Sequence, residues 1–166
     1  MRPSIRRAPA TPLRATFTTV LSCLALASGA LVLTTAPPAA ASPADCQNWR
    51  APDAATEKWT VTSTPLTTGY TLPYNRRQVE LRAGNINGVQ HGWARITGYT
   101  KAGDKYWMDV SRDGGRSWIQ CGPFTLTREG QSPWTPAHAA SPDPNLRFRA
   151  CGRAVDEGQS ACGPWW

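Results

Sequence analysis

The 166-residue chain has no Cys-x-x-Cys, no His-Glu-x-x-His and no histidine pair at ligand spacing, which sets aside the common zinc sites. It has no Gly-x-Ser-x-Gly and no glycine-rich phosphate loop, so neither a nucleophile elbow nor a nucleotide cradle is written in it. Only two histidines occur, His91 and His138, beside turn-like segments and in no fixed relation to a serine or cysteine. No internal period recurs, which excludes a propeller or solenoid. No window after residue 41 sustains helical periodicity, and fifteen prolines and fourteen glycines argue against one. Helical architectures drop out, and neither a metal nor a cofactor is implied.

Acidic residues are missing from Met1 as far as Asp45, a stretch that holds Arg2, Arg6, Arg7 and Arg14. An apolar run follows from Ala15 to Leu33, then Pro37-Pro38-Ala39-Ala40-Ala41. This order reads as a cleavable secretory signal over residues 1–41, with Ser42 the first mature residue and the product extracellular. A membrane anchor fits less well, because Thr18, Thr19, Ser22, Ser28 and Gly29 dilute the run and the small-residue site follows at once. A twin-arginine signal would need apolar residues directly after Arg6-Arg7, where Ala-Pro-Ala-Thr-Pro stands instead. The lipoprotein-like Val20-Leu21-Ser22-Cys23 lies in mid-run, where such a box should end the run. No stable membrane anchor is expected.

Loss of the signal takes four arginines from a formal charge of +7, leaving +3 over 125 residues. A charge of that size supports solubility and says little about partners. No basic run with interleaved aromatics tracks a phosphate backbone, so nucleic acid is not expected as a partner. Four cysteines remain: Cys46, Cys121, Cys151 and Cys162. An even count in a short exported chain implies two disulfides, with three pairings open. The short loop between Cys151 and Cys162 favours that pair, and with it Cys46–Cys121. On the loop-entropy account they contribute roughly 3 and 4.5 kcal/mol.

Residues 42–75 form an amino-terminal arm rich in Pro, Thr and Ala, with Trp49 and Trp59 as its large apolar residues. Within it, Lys58–Thr64 has the β-branched alternation of a strand. Residues 76–166 read as a β domain. Gln78–Ala83, Gly92–Tyr99, Lys105–Ser111, Ser117–Pro123 and Leu146–Cys151 are strand-like, and Gly84-Asn85-Ile86-Asn87-Gly88 signals a turn. In Leu146–Cys151, Leu146, Phe148 and Ala150 face one side while Arg147 and Arg149 face the other. The expectation is an all-β fold: a small antiparallel β-sandwich or barrel, disulfide-bonded, with an extended amino-terminal arm.

Ser111-Arg112-Asp113-Gly114-Gly115-Arg116-Ser117-Trp118 matches the Asp-box pattern Ser-x-Asp-x-Gly-x-Ser/Thr-Trp at Ser111, Asp113, Gly115, Ser117 and Trp118. Asp113 is expected to accept hydrogen bonds from turn amides, Gly115 to take a positive φ, and Trp118 to pack back over the hairpin. The motif resembles those of sialidases, other sugar-processing propellers and some microbial ribonucleases, where it sits away from catalytic groups. A sialidase would need repeated blades, an arginine cluster and a tyrosine nucleophile. The box is therefore read as structural.

A wider series runs through Val79-Glu80-Leu81-Arg82, Gly92-Trp93-Ala94-Arg95-Ile96, Ala102–Asp109, the hairpin, Phe148-Arg149-Ala150-Cys151-Gly152 and the ending Cys162-Gly163-Pro164-Trp165-Trp166. Over Arg77–Trp166 it resembles a group of small secreted actinobacterial proteins with no assigned activity. A His-Gly pair precedes Trp93 where that group often places a cysteine. The resemblance implies a fold and a compartment and no catalytic residue.

All eight tryptophans lie after residue 41. Trp93, Trp107 and Trp118 fall in or beside strands and suit a core. Trp49, Trp59, Trp134, Trp165 and Trp166 lie outside the strands or at their ends, and are the candidate binding residues. The rival reading has Trp165-Trp166 folding back beside Cys151–Cys162 to seal one end of the sandwich. The expected function is a non-enzymatic secreted binding protein whose partner is another secreted protein. It would be an adaptor subunit of an extracellular or toxin assembly, or an inhibitor, with Ser42–Thr68 lying extended in the partner's cleft. One alternative is a carbohydrate-binding module whose exposed tryptophans stack on glycan. The other is a small hydrolase such as a ribonuclease, with Glu80 as base, Arg82 as phosphate binder and His91 as acid. Against the last, Glu80 and Arg82 share one strand face and pair more simply as surface charges.

Overall fold

A computed structural model describes residues 43–68 and 76–166. Residues 1–42, with the expected signal, and residues 69–75 of the arm lie outside the described residues. Eight strands are described: β1 (Thr56–Pro65), β2 (Gln78–Ile86), β3 (Val89–Thr97), β4 (Lys105–Ser111), β5 (Ile119–Thr125), β6 (His138–Ala139), β7 (Arg147–Arg153) and β8 (Ser160–Cys162). They form two four-stranded antiparallel sheets, β1-β2-β3-β6 and β5-β4-β7-β8. The two sheets pack as a sandwich and do not close into a barrel.

Period-two patterning decides what each sheet buries. Val79 and Leu81 of β2 and Ala94 and Ile96 of β3 turn to the core, and so do Met108 and Val110 of β4 and Phe148 and Ala150 of β7. The β2–β3 turn is tighter than the expected Gly84–Gly88. Ile86 pairs with Val89, leaving only Asn87-Gly88 between strands, both at positive φ. That is the geometry a two-residue hairpin asks of its central pair. Gly84 lies inside β2, where a Cβ would come 2.8 Å from the Thr56 carbonyl oxygen; its glycine serves close packing.

The sequence boundary at residue 76 separates arm from domain, but Thr56–Pro65 of that arm is the edge strand of the first sheet, paired along β2. Preceding it, Cys46 is bonded to Cys121 on β5, and Arg50 makes a two-way backbone bridge with Ala137. The described arm thus runs from the edge of one sheet to the edge of the other. A second disulfide joins Cys151 to Cys162 between β7 and β8. These are the same two cysteine pairs favoured by loop length.

Loops at one end are held by charge. Asp104, fully buried, accepts from Arg77 Nη1 at 3.0 Å and from the amides of Lys101 and Val155 at 2.8 and 2.9 Å. Arg77 also pairs with Asp156, which accepts from Lys101 Nζ at 2.9 Å. The hydrogen bond from Lys101, and then that from Arg77, holds the Asp156 carboxyl down at about 2. No helix among the described residues is long and apolar enough to cross a membrane.

Candidate functional site

The outer face of the second sheet carries the side chains that alternate with the core: Asp109 and Ser111 from β4, and Arg147, Arg149 and Cys151 from β7. Asp109 and Arg149 sit directly opposite each other in register. Asp109 is almost fully buried, and its Oδ2 accepts from Nε and Nη2 of Arg149, each at 2.8 Å. The Trp107 side chain also hydrogen-bonds the carboxylate. Burial pushes the Asp109 carboxyl above its ordinary range, against the pull of Arg149.

Two tryptophans enclose that arginine. The guanidinium carbon lies 4.4 Å from the ring centroid of Trp118 and 4.4 Å from that of Trp165. The two indoles are 6.0 Å apart and inclined at 58°. Trp118 is brought there by the Asp-box hairpin between β4 and β5. Asp113 Oδ1 accepts from the Arg116 and Ser117 amides at 2.9 Å, Oδ2 from the Ser117 hydroxyl at 2.6 Å, and the Ser111 hydroxyl donates to Oδ1 at 2.8 Å. The hydroxyl and amide of Ser117, then Ser111, hold the Asp113 carboxyl well below the usual carboxylate range. Gly114 and Gly115 both have positive φ, and a Cβ on Gly115 would stand 2.8 Å from Trp165 Nε1. The hairpin is therefore shaped to admit Trp165 as well as to present Trp118.

Trp118, expected among the core tryptophans, is 47% exposed, with Ile119 beside it equally open. The turn ends before β5 starts, so Trp118 lies beyond the edge strand's buried face. Trp165 and Trp166 divide the two roles foreseen for them. Trp166 returns to the core: its backbone exchanges two 2.9 Å hydrogen bonds with Phe148, and its ring lies 5.9 Å from that side chain. Trp165 stays on the outer face against Arg149. Trp49 is half-buried, edge-on to His138 at 4.8 Å and packed on the core, so it offers little free surface. Trp59 on β1 and Trp134 are both exposed, on the first sheet and far from this cluster in pairing order.

The ribonuclease residues lie along one face of β2 and β3 without converging. Arg82 Nη1 donates to Glu80 at 3.1 Å, and Glu80 is only 9% exposed rather than a surface charge, because Gln78 and Arg82 cover it. His91 pairs in register with Gly84, four residues beyond Glu80. Four strand residues span about 13 Å, too far for an acid and a base to share one phosphate. Both histidines lie in paired strands rather than loops. Each has its Nδ1 on a backbone carbonyl oxygen, His91 on Val89 at 2.8 Å and His138 on Ala139 at 2.7 Å. Burial lowers the His138 pKa.

Asp109, Cys151 and Cys162 bring a carboxylate and two sulfurs close together. Both sulfurs belong to the disulfide, which leaves no thiolate to bind a metal. No protein family, no curated protein and no solved structure matches the chain.

Proposed function

We propose that the mature chain is a secreted, non-enzymatic binding module that docks another extracellular protein with the outer face of its second sheet. The observation that carries this is the Trp118–Arg149–Trp165 stack. Tryptophan and arginine are the residue types that dominate binding energy at protein interfaces. Here the arginine is fixed from beneath by a buried carboxylate and packs against two indole rings. Its rotamers are already restricted before a partner arrives, so less entropy is lost on docking. Exposed Trp118 and Ile119 add apolar surface beside the fixed cation.

The same stack argues for protein over glycan. A sugar ring packs on an open indole face, and one face of each of Trp118 and Trp165 is taken by the guanidinium. An adaptor or an inhibitor fits this reading better than a lectin. The test is affinity capture from the producer's culture supernatant with the mature wild-type protein and with Trp118→Ala, read by mass spectrometry, alongside a glycan array. A protein held by the wild type and released at least tenfold by Trp118→Ala supports the proposal. Equal capture by both proteins, or a glycan signal that needs Trp118, overturns it.

A further inference from the structure

On the outer face of the first sheet, remote from the Trp118–Arg149–Trp165 stack, lies a hollow of about 70 Å³ walled by Pro52, Lys58, Arg82, Trp93, Arg95 and Trp134. Besides Pro52, four different segments build it. Lys58 comes from β1, Arg82 from β2, Trp93 and Arg95 from β3, and Trp134 from the connection to β6, where it bridges Arg95 through the backbone. Register explains the convergence: Arg82 stands directly opposite Trp93 and Glu80 opposite Arg95, so alternation sends these side chains to the same face. Trp93 is buried and forms an apolar floor with Ala55, Ile86 and Ala137, while Trp134 is 40% exposed at the rim.

The charges do not cancel. Glu80 is the carboxylate paired with Arg82, and it is shared with Gln78. Among the described residues neither Lys58 nor Arg95 forms an ion pair. Lys58 Nζ donates to the Asp53 backbone carbonyl at 3.1 Å and Arg95 Nε to the Ser132 hydroxyl at 3.2 Å, both uncharged acceptors. Arg82 Nε is buried and has no acceptor among the described residues. A buried donor left unsatisfied destabilises the fold, and an incoming acceptor would relieve it.

We propose that this hollow is a docking site for the carboxylate of an acidic side chain on a peptide or protein. Two unpaired cations and an unsatisfied guanidinium N–H call for an anion, and the tryptophan floor and rim call for an apolar stem behind it. A glutamate side chain supplies both, with its carboxylate against Arg82, Arg95 and Lys58 and its methylenes on the indoles. The volume admits one such group. This site is independent of the one proposed on the second sheet and stands or falls separately.

The test is NMR titration of the arginine Nε–Hε and tryptophan indole resonances of the mature protein. The titrants are a blocked triglutamate peptide, sodium acetate and sodium phosphate, with sodium chloride at matched ionic strength as control. Saturable shifts at Arg82, Arg95 and Trp134 are expected with the peptide, and weaker ones with acetate, which lacks the longer stem. Lys58→Gln and Arg95→Gln, both at solvent-accessible positions, should each weaken peptide binding about threefold, the effect of one partly exposed charge contact. Tyr99→Ala, at an exposed position away from the hollow, should leave it unchanged. Shifts no larger than those with chloride overturn the proposal, as does unchanged affinity in both charge variants. Tighter binding of phosphate than of the peptide would replace the carboxylate assignment with a phosphate one.

Discussion

Arg149 and Asp109 show how much of a site one pair can decide. The carboxylate is buried, and the guanidinium, with a hydrogen bond from Trp107, keeps its charge tolerable there. Arg149→Ala should destabilise the fold by about 3 kcal/mol at pH 7, the low end for breaking a buried pair, since the arginine is partly exposed. The pH dependence has a definite sign. Burial already raises the Asp109 pKa, and loss of Arg149 raises it further. A raised acid makes the native state bind more protons than the unfolded one, so stability rises as pH falls through the folded value. The deficit of Arg149→Ala, measured by urea denaturation, should therefore be smaller at pH 4 than at pH 7. Alternation in Leu146–Cys151 placed Arg149 on the outward face from sequence alone. Its neighbours were not legible, because Trp118 and Trp165 reach it from separate turns that only the folded sheet brings together.

The hairpin between β4 and β5 was the most legible element, since each residue of the Asp-box has a local job. Asp113 serves the amides of Arg116 and Ser117 and both flanking serine hydroxyls. Asp113→Ala should leave the sheet intact and free the turn. By hydrogen exchange, the Arg116 and Ser117 amides should lose protection while those of β4 and β7 keep theirs. Through the hairpin the variant should also loosen the Trp118 stack, visible as a changed indole resonance. Short elements escaped notice for a physical reason. β6 has two residues and β8 three, too few for a period to register, and both exist because longer strands offer them a partner. β1 was visible as β-branched alternation, but nothing in its sequence named β2 as the strand it pairs with.

For the whole molecule, the all-β class and antiparallel pairing followed from patterning, and six of the eight strands with them. The choice of sandwich over barrel did not, because closure depends on which edges meet. The hollow on the first sheet was equally hidden, being assembled from residues 52 to 134. The two disulfides act at different ranges, with cysteines 75 and 11 residues apart. Replacing Cys46 and Cys121 together by serine should cost about 4.5 kcal/mol at most, and Cys151 with Cys162 about 3 kcal/mol. Urea midpoints should fall in that order. The reverse order would mean that native strain, not loop length, sets their worth.

The long edge strand β1 has one more consequence. Its register slips twice, between Thr56 and Trp59 and between Thr60 and Thr62, and it ends in Pro65. The other edges are the short β6 and β8, and β5, which carries Pro123. Irregular, brief or proline-bearing margins are poor templates for a neighbouring copy's backbone. The fold carries its own safeguard against fibril growth, built into the rim of each sheet.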